Sequence, residues 1–363
     1  MKTIHAARLD RLRRSMSASG ADGLLVTHLP NVFYLCGFTG SHAALLILAG
    51  QAHLFTDGRY TLQARQEAPG VRVHIGRQAA SVQAGGWVAM PKRRGHVRLG
   101  FDPAHLTQAE WTRMTAVTGK AIKWKPAAGW VESLRERKGP DELDLMRRAA
   151  NLGSEVMEEV LSLAKPGVTE LDLAAEADYR MRRKGAAGPA FDTIVASGVR
   201  SALPHARPTD KRLQKNELVV LDLGAILRHY CSDLTRTVYL GRAPVRVRRW
   251  YRAVEEAQQA ALEALQAGKP AGRVDRAARR VLERHRLGRF FTHSTGHGLG
   301  IEVHESPRLG RGQQQEIREG NVVTLEPGIY VEGVGGIRIE DDVVVHATGA
   351  EVLTTARRGL LEL

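Results

Sequence analysis

Residues 218–240, LVVLDLGAILRHYCSDLTRTVYL, constrain this chain more than any other stretch. Two apolar, β-branched runs flank a short break at Leu227-Arg228-His229, the pattern of a hairpin. Each run carries one aspartate, Asp222 and Asp233. A turn centred near 227 and 228 sets the two opposite each other, and cross-strand neighbours lie about 5 Å apart. Carboxylates that close in an apolar setting repel, and one must take a proton unless a cation lies between them. Taken alone, the hairpin reads better as two solvent-facing aspartates at strand ends.

A second stretch shifts the balance. Residues 321–346, NVVTLEPGIYVEGVGGIRIEDDVVVH, again place two β-rich runs around a glycine turn, Gly333-Val334-Gly335-Gly336. Glu326 and Glu340 lie symmetrically about residue 333, so they too face each other. Between the hairpins runs HSTGHGLGIEVHE, with His293, His297 and His304. Asp222, Asp233, His297, Glu326 and Glu340 together are a complete ligand set for two divalent cations. Oxygen ligands with one imidazole favour Mn²⁺, Fe²⁺ or Co²⁺ and admit Zn²⁺, and the lack of a thiolate argues against structural zinc. Two such ions about 3.5–4 Å apart share a hydroxide and polarise a carbonyl, so the reaction class is metal-assisted hydrolysis.

Other side chains carry two readings each. His205, in SALPHARP, and His304, in VHE, either hydrogen-bond substrate carbonyls and the charge of an intermediate or are ordinary surface or core histidines. Arg338 stands two residues before Glu340, on the same strand face. It either pairs with a ligating carboxylate or clamps a substrate carboxylate. Arg308, beside Pro307, is a second clamp or a solvated loop arginine.

A chain of 363 residues exceeds one typical core, so two domains are expected. Apolar content of 43% and charged content of 25% describe a globular protein. No apolar run approaches the roughly 20 residues of a membrane span. The opening MKTIHAARLDRLRRSM has no apolar signal core, which places the protein in the cytoplasm. Cys36 and Cys231 are far apart in apolar stretches and read as buried free thiols. The formal charge of +14 is uneven. Residues 1–137 hold 19 Lys+Arg against 8 Asp+Glu, a net of +11, and the remainder 34 against 31, a net of +3. The basic residues are scattered rather than interleaved with aromatics, which describes a solvated surface. A non-catalytic binder of nucleic acid or protein is the remote alternative, and such a binder has no need of four converging carboxylates.

Strands over 23–27, 71–76 and 96–102, a hairpin over 43–60 turning at Gly50-Gln51, and helices over 5–19, 61–68 and 105–119 make an α/β domain of about residues 1–130. Thr107 with Glu110 forms a capping box for the last of these helices. Residues 28–41 read as loop. Gly139-Pro140 marks the boundary, and an amphipathic helix starts at Asp141 and ends at Pro166-Gly167. A helix opened by Thr169 and Asp172 and closed by Gly185, a strand at FDTIVASG and one long helix over about 245–285 complete a second domain over 131–363.

With these stretches assembled, the chain resembles the pita-bread metallopeptidases, in the branch of prolidase and aminopeptidase P. The matching motifs are FDTIVASG with ALPHARP, LDLGAILRHYCSDLTRT, HSTGHGLGIEVHE, TLEPGIY and GIRIED. NVFYLCGFTGSHAALLIL with LFTDGRY resembles the amino-terminal domain of that branch. The resemblance implies a creatinase/prolidase-like α/β domain followed by an α+β pita-bread catalytic domain. It implies two divalent ions per subunit, manganese foremost, with cobalt, zinc or iron as alternatives. Asp222 would chelate one ion, Asp233 and Glu340 would bridge, and His297 and Glu326 would each hold one. Glu326 would also shuttle a proton, and His205 and His304 would stabilise the tetrahedral intermediate. His293, Arg308 and Arg338 join the substrate-binding group. The implied substrate is a peptide with proline in second position, and the implied assembly is a homodimer whose amino-terminal domain caps a neighbour's active site. Arg308 favours an Xaa-Pro dipeptidase over an aminopeptidase acting on longer peptides.

Overall fold

The computed structural model describes residues 4–90 and 97–363, and the chain divides into two compact units, 1–135 and 136–363. In the first, six strands form one sheet: β1 (Gly23–Val26), β2 (Ala44–Leu48), β3 (Ala52–Asp57), β4 (Arg72–Gly76), β5 (Val97–Phe101) and β6 (Ile122–Pro126). Their order is β4-β3-β2-β1-β5-β6, antiparallel only where β1 meets β2 and β2 meets β3. The helices are α1 (Ile4–Ala18), α2 (Leu29–Cys36), α3 (Thr61–Glu67), α4 (Ala80–Val88), α5 (Gln108–Thr118) and α6 (Glu132–Arg135). Helix α1 buries Leu9, Leu12 and Met16. Thr107 caps α5 with the reciprocal bond from Glu110, as its spacing predicts. The stretch read as loop over 28–41 contains α2: Pro30 falls in the first turn, where a missing N–H costs nothing, and Gly37 at φ 85° ends the helix. Of the strand expected over 96–102, His96 lies outside the described residues.

The second unit opens with α7 (Pro140–Leu161) and α8 (Glu170–Arg183), the latter capped by Thr169 and Asp172. Then come β7 (Gly188–Pro189), β8 (Ile194–Ser197), β9 (Leu218–Leu223), β10 (Ala225–Leu227), β11 (Tyr230–Cys231) and β12 (Leu234–Tyr239). Helices α9 (Val245–Ala264) and α10 (Gly272–Arg284) follow. The chain closes with β13 (Gly296–Gly298), β14 (Glu305–Leu309), β15 (Val322–Leu325), β16 (Gly328–Val331), β17 (Gly335–Arg338), β18 (Asp341–Val345), β19 (Ala350–Val352) and β20 (Leu361–Glu362). The single long helix expected over 245–285 is two, because Gly268 at φ 78° and Pro270 break it.

Two sheets carry the acids. One is ordered β20-β12-β9-β8 and the other β14-β13-β15-β18-β19. Val156, Met157 and Val160 of α7, with Leu173 and Met181 of α8, pack on Leu221, Leu223 and Leu234. Val254 and Ala257 of α9, with Val274 and Ala278 of α10, pack on Val323, Leu325 and Val343. Side chains alternate along a strand, so Asp222, between Leu221 and Leu223, faces away from the helices.

The first acid hairpin has a register two residues from the one expected. Its tip is Arg228-His229, with φ of 47° and 73°, so Asp222 pairs with Thr235 and not with Asp233. A shift of two keeps parity, which leaves Asp222 and Asp233 on one face as diagonal neighbours. The second hairpin has the expected register. Leu325 pairs with Asp341 in one ladder and Gly328 with Arg338 in the next, so Glu326 and Glu340 lie opposed at the corner between two sheets. Its tip carries exposed Glu332 and Gly333, the latter at φ 70°.

Candidate metal centre

One ligand atom each from Asp233, His297 and Glu340 lies within 4.8 Å of the others. His297 Nε2 is 3.7 Å from Asp233 Oδ2 and 3.6 Å from Glu326 Oε1. Its Nδ1 donates to the carbonyl of Gly298 at 3.0 Å, which leaves the Nε2 lone pair aimed at the carboxylates. Asp222 completes the set: its charge is felt at Asp233, Glu326 and Glu340. The structure thus brings together all five residues read from the sequence as ligands.

The position of His297 depends on its glycines. A Cβ on Gly296 would collide with the carbonyl of Thr324, and one on Gly298 with that of Ser306. Only glycine at these two positions lets β13 sit between β14 and β15.

The electrostatics describe a site built for cations. Burial first, and neighbouring carboxylates second, push Asp233 and Glu340 well above the ordinary carboxylate range. Burial pushes Glu326 up to about 7. Burial also holds His297 down to about 4, so its imidazole is neutral at pH 7 and available as a ligand. Asp222 Oδ1 is buried with no hydrogen-bond partner among the described residues. An orphaned carboxylate oxygen, neighbouring acids that repel and one lone pair facing them suit divalent ions that take oxygen with a single imidazole.

Around the acids lies a cavity of about 660 Å³, walled by His205, His293, His304, Arg308 and Arg338 among others. His205, His304 and Arg308 are exposed, and no hydrogen bond or ion pair occupies them among the described residues. The rings of His297 and His304 lie 4.3 Å apart. Of the two readings of Arg338, the geometry supports pairing with a candidate ligand. Its guanidinium donates to Asp222 Oδ2 (2.6 Å), Tyr330 Oη (2.8 Å), Thr235 Oγ1 and the Pro204 carbonyl (both 3.1 Å). It has no fork left for a substrate carboxylate. The ring nitrogens of His293 are likewise engaged: Nδ1 donates to the Ser294 carbonyl and Nε2 accepts from Tyr330, each at 2.8 Å. His293 therefore lends the cavity its ring, not a free donor.

Sequence reasoning missed the residues that hold the ligands. Tyr330 joins Arg338 to His293, Thr235 donates to Glu340, Thr324 accepts the His297 N–H and Asp342 accepts that of Asp233. Period two offered a signal for Thr235 and Thr324, each two residues from a ligand on one strand face. A second cluster, His28, His105 and Glu132 in the first unit, also gathers donor atoms within 4.8 Å. Its two rings are stacked 3.7 Å apart and 5° from parallel, so no point lies in both ring planes and the lone pairs do not converge on one ion.

Comparison with known proteins agrees with this geometry. Residues 144–347 match Metallopeptidase family M24, and residues 8–137 match the Creatinase/Prolidase N-terminal domain. An uncharacterized peptidase of Bacillus subtilis (strain 168) is 37% identical over 98% of this chain and 100% of its own. The structure of an Xaa-Pro dipeptidase from Bacillus anthracis superposes with a TM-score of 0.94 at 34% identity, covering 99% of this chain and 100% of that one. That of an X-Pro aminopeptidase from Thermotoga maritima MSB8 gives 0.88 at 35% identity, covering 96% and 100%. With residues 144–347 matched to its model and the amino-terminal domain matched as well, the chain belongs to metallopeptidase family M24.

Proposed function

We propose that this protein is a metal-dependent exopeptidase that hydrolyses the Xaa–Pro bond, acting foremost as an Xaa-Pro dipeptidase. The observation that carries the choice is Arg308, exposed and without a partner among the described residues, on the wall of the cavity that holds the acids. A dipeptide ends in a carboxylate directly after proline, and a free guanidinium is the group that recognises it. Cleavage of longer peptides, as the name of the Thermotoga relative suggests, is the second reading.

Asp222, Asp233, His297, Glu326 and Glu340 are the residues that would hold two divalent ions. When bound, such ions polarise a carbonyl and bring the ionisation of water near neutral pH. The chain supplies the rest. Arg308 anchors the proline carboxylate and fixes the scissile carbonyl. His205 and His304 donate to the oxygens of the tetrahedral intermediate. Glu326 takes the proton of the attacking water and returns it to the proline nitrogen as the C–N bond breaks. That nitrogen belongs to a tertiary amide, so no backbone N–H is needed for recognition. Arg338, tied to Asp222, holds a ligand in place instead of binding substrate.

The oxygen-rich donor set supports manganese, with cobalt, iron or zinc as substitutes. Cys36 and Cys231, buried thiols that are not joined in a disulfide, suit a reducing, cytoplasmic compartment, and a homodimer completes the proposal. Xaa-Pro and Xaa-Pro-Yaa-Zaa peptides supplied with Mn²⁺ test it. Faster turnover of the dipeptide is expected, faster turnover of the longer peptide selects the aminopeptidase, and no turnover of either rejects both.

A further inference from the structure

The loop that presents His304 is tied from below by a buried ion pair. Lys138 Nζ lies 3.2 Å from Glu305 Oε2, with side-chain exposures of only 1% and 6%. Glu305 directly follows His304 and pairs across the ladder with Gly298, the neighbour of His297. Its other oxygen accepts the N–H of Glu302 at 3.1 Å. The carboxylate also fills the space beside Gly300, where a Cβ would come within 2.6 Å of both oxygens. One carboxylate thus closes the turn from 300 to 305 on its inner side.

Lys138 is itself immobilised. Its N–H donates to the Gly320 carbonyl at 2.8 Å, the Glu136 carbonyl accepts from Asn321 Nδ2 at 2.8 Å, and Arg137 Nε donates to the Glu319 carbonyl at 3.1 Å. These bonds fasten residues 136–138 to the segment that enters β15, the strand leading to Glu326. A buried ion pair is weak as a source of stability, since two apolar side chains of like volume often do as well. Two apolar side chains cannot accept the Glu302 N–H or shape the turn.

We infer that Lys138 is a positioning residue for turnover: acting through Glu305, it fixes the 300–305 turn and with it the imidazole of His304. The inference rests on the reading of His304 as a group that touches the reacting peptide. The experiment uses the full chain loaded with Mn²⁺ and an Xaa-Pro dipeptide, and compares Lys138→Met, Lys138→Arg, the apolar pair Lys138→Met/Glu305→Leu, and Lys138→Met in a His304→Ala background.

The expected result is a kcat lowered about 10-fold or more in Lys138→Met, with KM within about 3-fold and bound metal unchanged. Lys138→Arg recovers most of the loss. In the His304→Ala background Lys138→Met costs less than about 3-fold more, because both changes act on one group. Hydrogen exchange rises over 300–305 in Lys138→Met and not across the sheets. Should that single variant fail to fold, the apolar pair, which leaves no lone buried charge, is expected to fold and to show the same kcat loss. A folded single variant or apolar pair with the parent's kcat overturns the inference. So does a fully additive loss with His304→Ala, or a loss matched by missing metal. A parent protein inactive on every Xaa-Pro peptide would reject the function reading, while unchanged exchange over 300–305 would still reject the role of Lys138.

Discussion

Arg308 and the site's carboxylates mark two kinds of residue, one waiting for a partner and the others crowded by their own. On the proposed reading, replacing Arg308 by alanine removes the charge-assisted contact to the carboxylate that follows proline in a dipeptide. KM for Xaa-Pro should rise about 10- to 100-fold while KM for an Xaa-Pro-Yaa amide stays within about 2-fold, as steady-state kinetics would show. The crowded acids set a pH dependence. Without ions, the unfolded chain releases the Glu326 proton near 4.5 and the folded chain keeps it to about 7. The folded state binds the extra proton across that window, so stability falls as pH rises through it. His293 and His297, held down to about 4 from 6.5, act in the opposite sense between those values. At 6.5 the unfolded histidines are only half deprotonated, so the acids raised furthest prevail once that titration is complete, about one unit higher. Chelator-treated protein should therefore lose thermal stability as pH rises above about 7.5, where Asp233 and Glu340 keep protons that the unfolded chain has released, and Mn²⁺ should restore it most at the upper end. Residues that carry charge into apolar runs were legible from sequence because such placement is costly without a partner. The partners of Arg338 and His293 were not, since a side chain that can reach several groups does not announce which one it meets.

At the scale of elements, each candidate ligand lies in a strand or directly beside one, and the distance between strands decides whether they meet. Gly296→Ala would drive a methyl group into the Thr324 carbonyl, separating β13 from β15 and withdrawing His297. Bound metal, measured by mass spectrometry, should drop by at least one ion per chain, and activity about 100-fold or more. The second acid hairpin could be read in register from sequence because its glutamates straddle a glycine turn symmetrically. The first could not, because Arg228 and His229 adopt the left-handed turn conformation that sequence patterns assign to glycine or asparagine. Its acids still share a face, since a slip of two preserves the side on which each lies. Likewise Pro30 looked like a breaker when it opens α2, and the helices on either side of Gly268 and Pro270 read as one because each flank is apolar at helical spacing.

For the whole molecule, each unit has its own apolar core, one around Leu25, Leu46, Phe55 and Leu99 and the others on the helix-covered sheets of the second unit. Calorimetry of the full chain should resolve two transitions, and only the one belonging to residues 136–363 should move when EDTA replaces Mn²⁺. The alternation of strands and helices near the amino terminus and the Gly139-Pro140 break were enough to expect two domains. How six strands order themselves in the first sheet was not, because pairing between strands far apart in sequence leaves no local pattern. The corner at Glu326 and Glu340 has a further consequence. Upstream pairing keeps the two glutamates in step, whereas the ribbon beyond them ends in an exposed turn at Glu332 and Gly333. Insertions there lengthen a solvent-facing tip, at a penalty that grows only slowly with its size. Over generations such a hairpin can lengthen or shorten at one end while its chemistry stays unaltered at the other.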